Sequence, residues 1–305
     1  MDVDEVRARI AEYDARVAEE FGEEPDVHDD GGIFFPDNAG EEVTVKALSW
    51  AREDSCDSDS ADDIEIFDGN SFTAAPNPMN SVQKKIVLIL EDDSHVCTGT
   101  LVSENFVLTA AHCVPDSGGD PLGNSHIDVC TRGNVQSGAD CFAATDIIVK
   151  NGTWNGSTVN DFALIELNTT DTGEGWFALS QAGDSTLDDF ESLHRGYPGF
   201  KNLSCANNTI TNNAITIDDT FDGSDMQKAD GGEFRDGLFD VAHYNASSAN
   251  GMSGGPHYYC PNGPCETDGH FLTGVESGFV FITSTNSYQQ GPLGRAIRAF
   301  VIANI

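Results

Sequence analysis

From residue 66 to about residue 290 the apolar residues of this chain come in short runs, and that spacing constrains the fold more than any other feature. The runs at 86–90, 99–102, 106–110, 146–149, 162–167, 209–217 and 271–282 are separated by clusters of Gly, Asn, Asp and Ser. Short apolar runs bounded by turn residues read as strands joined by tight connections, so a mostly antiparallel all-β body is expected. None of them approaches the ~20 consecutive apolar residues that a membrane-spanning helix needs. Helical spacing marks the two ends instead. Val3, Val6, Ile10, Tyr13, Val17 and Phe21 recur at intervals of three and four, as do Leu293, Ile297, Phe300, Val301 and Ile305. Residues 1–65 therefore read as a helix followed by a weakly patterned acidic segment, which serves equally as a propeptide or a disordered leader. Residues 66–305 read as the folded domain, closed by a single helix at about 293–304.

Charge sets limits on partners. The 305 residues include 51 acidic and 15 basic side chains, a formal net charge of -36. Residues 1–80 carry 23 acids and 5 bases and the remainder carries 28 and 10, so the excess is not confined to a tail. Such a chain repels polyanions, and neither nucleic acid nor an anionic membrane is expected as a partner. A spread-out acidic excess fits solubility in a salty medium, whereas recruitment of cationic substrates requires a local cluster. The acid-rich stretches Asp116–Asp120 and Asp218–Asp236 lack the spacing of a calcium loop and read as solvated loops. No metal and no cofactor is expected.

Eight cysteines, an even number with no Cys-x2-Cys pair, point to disulfides rather than zinc. Disulfides imply an oxidising compartment, so a secreted or periplasmic location is expected. Met1–Ile10 contains Asp2, Asp4, Glu5, Arg7 and Arg9 and does not read as a signal peptide. Six Asn-x-Ser/Thr sequons begin at Asn151, Asn155, Asn168, Asn202, Asn207 and Asn245, and they matter only in a host that glycosylates exported proteins.

Three segments carry chemistry. The first is Cys97-Thr-Gly-Thr-Leu-Val-Ser-Glu-Asn-Phe-Val-Leu-Thr-Ala-Ala-His-Cys-Val114. The second is Asn160-Asp-Phe-Ala-Leu-Ile-Glu-Leu167, and the third is Gly251-Met-Ser-Gly-Gly-Pro256. Acyl transfer from a peptide requires a nucleophile, a base near neutral pKa, a carboxylate to orient the base, and amide donors for the oxyanion. The three segments resemble the Ala-Ala-His-Cys, Asp-x-Ala-Leu and Gly-x-Ser-Gly-Gly-Pro signatures of the chymotrypsin/trypsin-like serine proteases, in that family's order. The resemblance extends over about residues 66–305. Gly196-Tyr-Pro-Gly199, followed by Lys201, further resembles a segment of the bacterial glutamyl endopeptidases and their trypsin-like relatives.

The resemblance implies a catalytic triad of His112, Asp161 and Ser253, with the amides of Gly251 and Ser253 as the oxyanion hole. It implies two six-stranded antiparallel β-barrels, at about 66–175 and 176–290, with the active site between them. It implies a monomeric endopeptidase acting on protein or peptide substrates through an acyl-enzyme. Ser247, Ser248, Glu276, Ser277 and Gly278 fall at the substrate-binding positions. Glutamyl endopeptidases carry a His where this chain has Glu276, so a basic or small polar residue before the scissile bond is expected if that carboxylate faces the substrate. Met252 replaces the Asp that precedes the nucleophile in trypsin-like zymogens, which argues against activation through a freed N-terminus. The family bridge beside the base corresponds to Cys97–Cys113. Cys130–Cys141 and Cys260–Cys265 are close enough for hairpin staples, leaving Cys56–Cys205 to tie the leader to the body.

Overall fold

The computed structural model describes residues 3–21, 46–47, 64–65, 73–74, 81–91, 94–114, 127–131, 140–152, 160–182, 191–197, 227–235, 241–244, 248–249, 251–260, 270–283, 286–292 and 294–305. Helix α1 is Val3–Phe21 and helix α2 is Gly294–Asn304. Three two-residue strands precede the main body: β1 (Lys46–Ala47), β2 (Ile64–Glu65) and β3 (Thr73–Ala74). The strands β4 (Ile86–Glu91), β5 (Ser94–Leu101), β6 (Phe106–Thr109), β7 (Ile127–Cys130), β8 (Cys141–Val149) and β9 (Ala163–Leu167) follow. They close a six-stranded antiparallel barrel in the order β4-β5-β6-β9-β8-β7.

The short apolar runs become the buried strands of this barrel. Ile86, Val87, Leu88, Ile89 and Leu90 are all buried, so β4 is covered on both faces and shows no polar alternation. At Gly99 on β5, an added Cβ would lie 2.5 Å from Val107 Cγ1 on β6, so the barrel interior has no room for a side chain there. Two disulfides belong to this half. Cys130–Cys141 joins directly opposed residues of β7 and β8, and Cys97–Cys113 ties β5 to the turn that follows β6. Cys260 is also in a disulfide. Cys56, Cys205 and Cys265 lie outside the described residues.

The second half contains β10 (Ala178–Leu179), β11 (Glu191–Gly196), β12 (Gln227–Arg235), β13 (Val241–Tyr244), β14 (Ser248–Ala249), β15 (Pro256–Tyr259), β16 (Phe271–Val275), β17 (Gly278–Thr283) and β18 (Asn286–Pro292). They form a sheet in the order β1-β17-β18-β13-β12-β11-β15-β16-β10, with β3 on β12, while β14 pairs with β2. The apolar run at 209–217 and the stretch 116–120 lie outside the described residues. Part of the acidic stretch 218–236 is strand β12.

The N-terminal region is joined to the body at several points. Lys46 pairs with Phe279, and Glu65 pairs with Ser248. The apolar face of α1 buries Tyr13 and Val17. Tyr13 packs on Trp176 at 5.7 Å, and its hydroxyl oxygen accepts the Leu179 amide at 2.9 Å. Burial raises the Tyr13 hydroxyl pKa well above its ordinary value. Arg9 Nη1 donates to the Ala303 and Ile305 carbonyls at the end of α2, where the helix leaves its last carbonyls unbonded. Asp14 pairs with Arg298 on α2. Helix α2 buries Ile297, Val301 and Ile302, and its Phe300 ring meets Phe162 edge-on at 5.1 Å.

Tyr13→Phe leaves the ring in place and strips the Leu179 amide of its acceptor. A buried donor left unpaired costs about 1–3 kcal/mol. Equilibrium urea unfolding of the full chain is expected to show a loss of that size with an unchanged m-value.

Candidate active site

Strand β6 positions His112. It ends at Thr109, Ala110 continues extended, and Ala111–Cys113 forms one 3₁₀ turn closed by amide bonds from Cys113 to Ala110 and from Val114 to Ala111. The small Ala110 and Ala111 are buried, and the bridge to Cys97 fixes the far side of the turn. His112 is thus held rigidly by covalent and backbone contacts on both flanks.

Asp161 lies two residues before β9, which lies beside β6 in the barrel. It is 1% exposed. Its Oδ1 accepts the His112 backbone amide at 2.9 Å, and its Oδ2 lies 2.7 Å from His112 Nδ1. The Ser277 hydroxyl donates to the same Oδ2. A carboxylate can only accept, so the ring proton sits on Nδ1 and Nε2 is left as the basic nitrogen. Three donors converge on one buried carboxylate, which offsets the cost of removing it from water.

The turn at 251–255 brings Ser253 to the seam between the two halves. Ser253 is 2% exposed. Its carbonyl accepts the Thr98 amide at 2.9 Å and lies 3.6 Å from Cys113 Sγ, the neighbour of His112 in sequence. Gly251 and Gly254 have φ of +89° and +81°, values that L side chains rarely adopt. Gly254 N donates to the Glu276 carbonyl at 2.7 Å, Glu276 N donates to the Gly255 carbonyl at 2.9 Å, and Met252 is fully buried. The turn is therefore laced to β5 on one side and to the segment after β16 on the other.

Among the residues expected to touch substrate, the Ser277 side chain instead supports Asp161. Ser248 lies on β14 and Gly278 opens β17. Ser247, Pro198, Gly199 and Lys201 lie outside the described residues. Gly196 and Tyr197 have a structural use: a Cβ at Gly196 would come within 3.1 Å of both Met252 and Thr98, and the buried Tyr197 hydroxyl donates to the Ile86 carbonyl at 3.2 Å.

Glu276 is 0% exposed, and its Oε2 lies 3.0 Å from His257 Nε2. Its carboxylate therefore sits on a buried imidazole and not on an open surface that would collect a cation. The His257 ring stacks on His194 at 4.6 Å and 16°, and His194 Nδ1 donates to the Pro256 carbonyl at 3.0 Å. Candidate ligand atoms of His194, His257 and Glu276 lie within 4.8 Å of one another. Nearly parallel rings direct their in-plane lone pairs side by side and not toward a common point, so the arrangement reads as a hydrogen-bonded core cluster. The other such group among the described residues, Cys97, His112 and Cys113, has no thiolate to offer because its sulfurs are joined.

Burial holds these histidines neutral. His194 is lowered to about 4, chiefly by desolvation and secondarily by Arg195. His257 lies well below its ordinary value for the same first reason, with His194 adding to it. His270, whose Nε2 lies 2.9 Å from Lys85 Nζ, is lowered to about 3 by burial and by that cation.

A family profile described as Trypsin matches residues 73–292. The trypsin of Sus scrofa is 33% identical over 112 residues, which is 36% of this chain and 43% of that protein. The match thus spans less than half the length of that relative. The solved structure of a Glu endopeptidase in complex with MPD superposes with a TM-score of 0.56 at 21% identity, over 78% of this chain and 99% of that one. At that identity the likeness is one of fold.

A histidine depressed in the folded state is protonated first in the unfolded chain, so its stabilising effect is complete above the unfolded pKa and is lost as pH falls toward the folded one. For His194 the window runs from roughly 6.5, the model-peptide value, down to about 4. Urea midpoints measured across that range are expected to drop steeply with acidification, His194 contributing on the order of 3 kcal/mol at the acid end.

Proposed function

The chain belongs to the trypsin family, and from that premise we propose that it is a serine endopeptidase with Ser253 as nucleophile, His112 as base and Asp161 as the group that orients the base. The observation carrying this reading is the double hold of Asp161 on His112, through the backbone amide and through Nδ1. That hold fixes the tautomer in which Nε2 can take a proton.

The steps follow from these groups. Ser253 Oγ adds to the scissile carbonyl carbon while its proton passes to His112 Nε2. The tetrahedral adduct collapses, the C–N bond breaks, and the same proton goes to the leaving amine. Water then repeats the sequence on the ester and frees the acid. The imidazolium formed in each step is stabilised by the Asp161 carboxylate. The developing oxyanion is assigned to the amides of Gly251 and Ser253, a reading supported by the left-handed backbone at Gly251. Each such donor lowers the barrier by roughly 3 kcal/mol. The substrate class is peptide or protein, and the disulfides fit action in an oxidising compartment.

A second reading is a latent precursor. It is favoured by the pairing of Ile64–Glu65 with Ser248–Ala249, because the resemblance places Ser248 beside the base of the specificity pocket. In that state a segment of the leader occupies backbone groups beside the pocket.

A fluorophosphonate probe tests both readings. Label on Ser253 that is absent in Ser253→Ala is expected, either at once or after limited proteolysis within residues 1–70. Immediate label supports the assembled enzyme, and label only after trimming supports the precursor. No label in either form contradicts a catalytic serine.

A further inference from the structure

Resting on the serine-protease reading, we propose that Thr98 is a positioning residue for the nucleophile turn. Its hydroxyl and its amide, offered from the first barrel, hold Gly251 and Ser253 in the arrangement that attack requires.

Thr98 sits on β5, one residue after the bridged Cys97, and is 0% exposed. Its amide donates to the Ser253 carbonyl at 2.9 Å. Its Oγ1 lies 2.8 Å from the Gly251 carbonyl and 2.9 Å from the Tyr197 amide. Its own carbonyl accepts the Thr109 hydroxyl at 2.8 Å, on the strand that leads to His112. The directions of the hydroxyl bonds follow from the partners. An amide can only donate and a carbonyl can only accept, so Oγ1 takes the Tyr197 proton and commits its single proton to Gly251. One residue thereby grips the turn at both of the positions assigned to the oxyanion hole, and it is anchored to the strand that delivers the base.

The turn needs such a restraint. Gly251, Gly254 and Gly255 confer wide backbone freedom, and two of the three occupy the left-handed region. Met252, between the two gripped residues, has a buried apolar side chain that contributes packing, and its carbonyl bonds only within the turn, to the Gly255 amide at 2.9 Å. Misplacement of a reacting group by about 1 Å costs on the order of 100-fold in rate, so a restraint that defines the turn acts on the chemical step.

The test compares Thr98→Val, which keeps shape and loses both hydroxyl bonds, with Thr98→Ser, which keeps the hydroxyl. Rates are taken per fluorophosphonate-titrated site, so unfolded protein does not enter. Thr98→Val is expected to lower kcat about 10–100-fold while KM stays within about threefold, and Thr98→Ser to recover most of the loss. Thr98→Ala removes the same hydroxyl and gives the same reading should the valine variant not accumulate as folded protein. Unchanged kcat per titrated site in both hydroxyl-less variants overturns the proposal. So does equal damage in Thr98→Ser, which would mark a packing role. Absence of label on the wild-type chain in any form instead removes the nucleophile assignment, and this inference with it.

Discussion

The seam between the two halves depends on how closely the turn 251–255 can approach strand β5. At Gly254 an added Cβ would fall 2.1 Å from Thr109 Oγ1 and 2.3 Å from the Thr98 carbonyl, with φ at +81°. At Gly255 it would fall 2.7 Å from the Arg195 carbonyl. Backbone therefore rests against backbone where the two halves meet, and only glycine permits it. This contact lets the Thr98 amide reach the Ser253 carbonyl and sets Cys113 Sγ beside it. Strand β5, the Cys97–Cys113 bridge and the turn after β6 then form one unit that carries His112 and the contact to Ser253.

Burial decides which polar groups in this region carry charge. His194, His257 and His270 are neutral because desolvation outweighs what their neighbours offer. Asp161 sits equally deep, yet three donors meet it. The same weighing applies to the N-terminal helix. Its Arg16–Glu104 pair is 45% and 41% exposed and contributes little, on the order of 0–1 kcal/mol for a surface pair. Tyr13, buried against Trp176 and bonded to Leu179, carries the docking of α1 far more than that ion pair. The docking of α1 is thus done by aromatic and arginine side chains.

The candidate site was readable in the sequence because its residues sit in contiguous motifs. His112 lies between Ala111 and Cys113, Asp161 opens an apolar strand, and Ser253 lies in a Gly-rich turn, so local chemistry announces each one. The antiparallel all-β body was equally legible from the short apolar runs, and both terminal helices from their spacing. What local pattern does not contain is contact between distant segments. The Ser277 hydroxyl reaches Asp161 across 116 positions, and the Tyr13 hydroxyl meets Leu179 across 166. Thr98 looks like any strand threonine until Tyr197, Gly251 and Ser253 are folded onto it. Glu276 read from sequence as a possible receptor for a cationic side chain, and the fold turns its carboxylate onto His257. The two-residue strands at Lys46 and Ile64 are too short to leave any periodic signal.

The central claim is that Ser253, activated through His112, forms a covalent acyl-enzyme. Pre-steady-state hydrolysis of a chromogenic ester by the full chain, trimmed within residues 1–70 if necessary, addresses it most directly. The account predicts a burst of chromophore equal to one per active site, followed by slower turnover, and no burst in Ser253→Ala. Turnover with no dependence on Ser253, or a burst that survives its removal, would contradict the account.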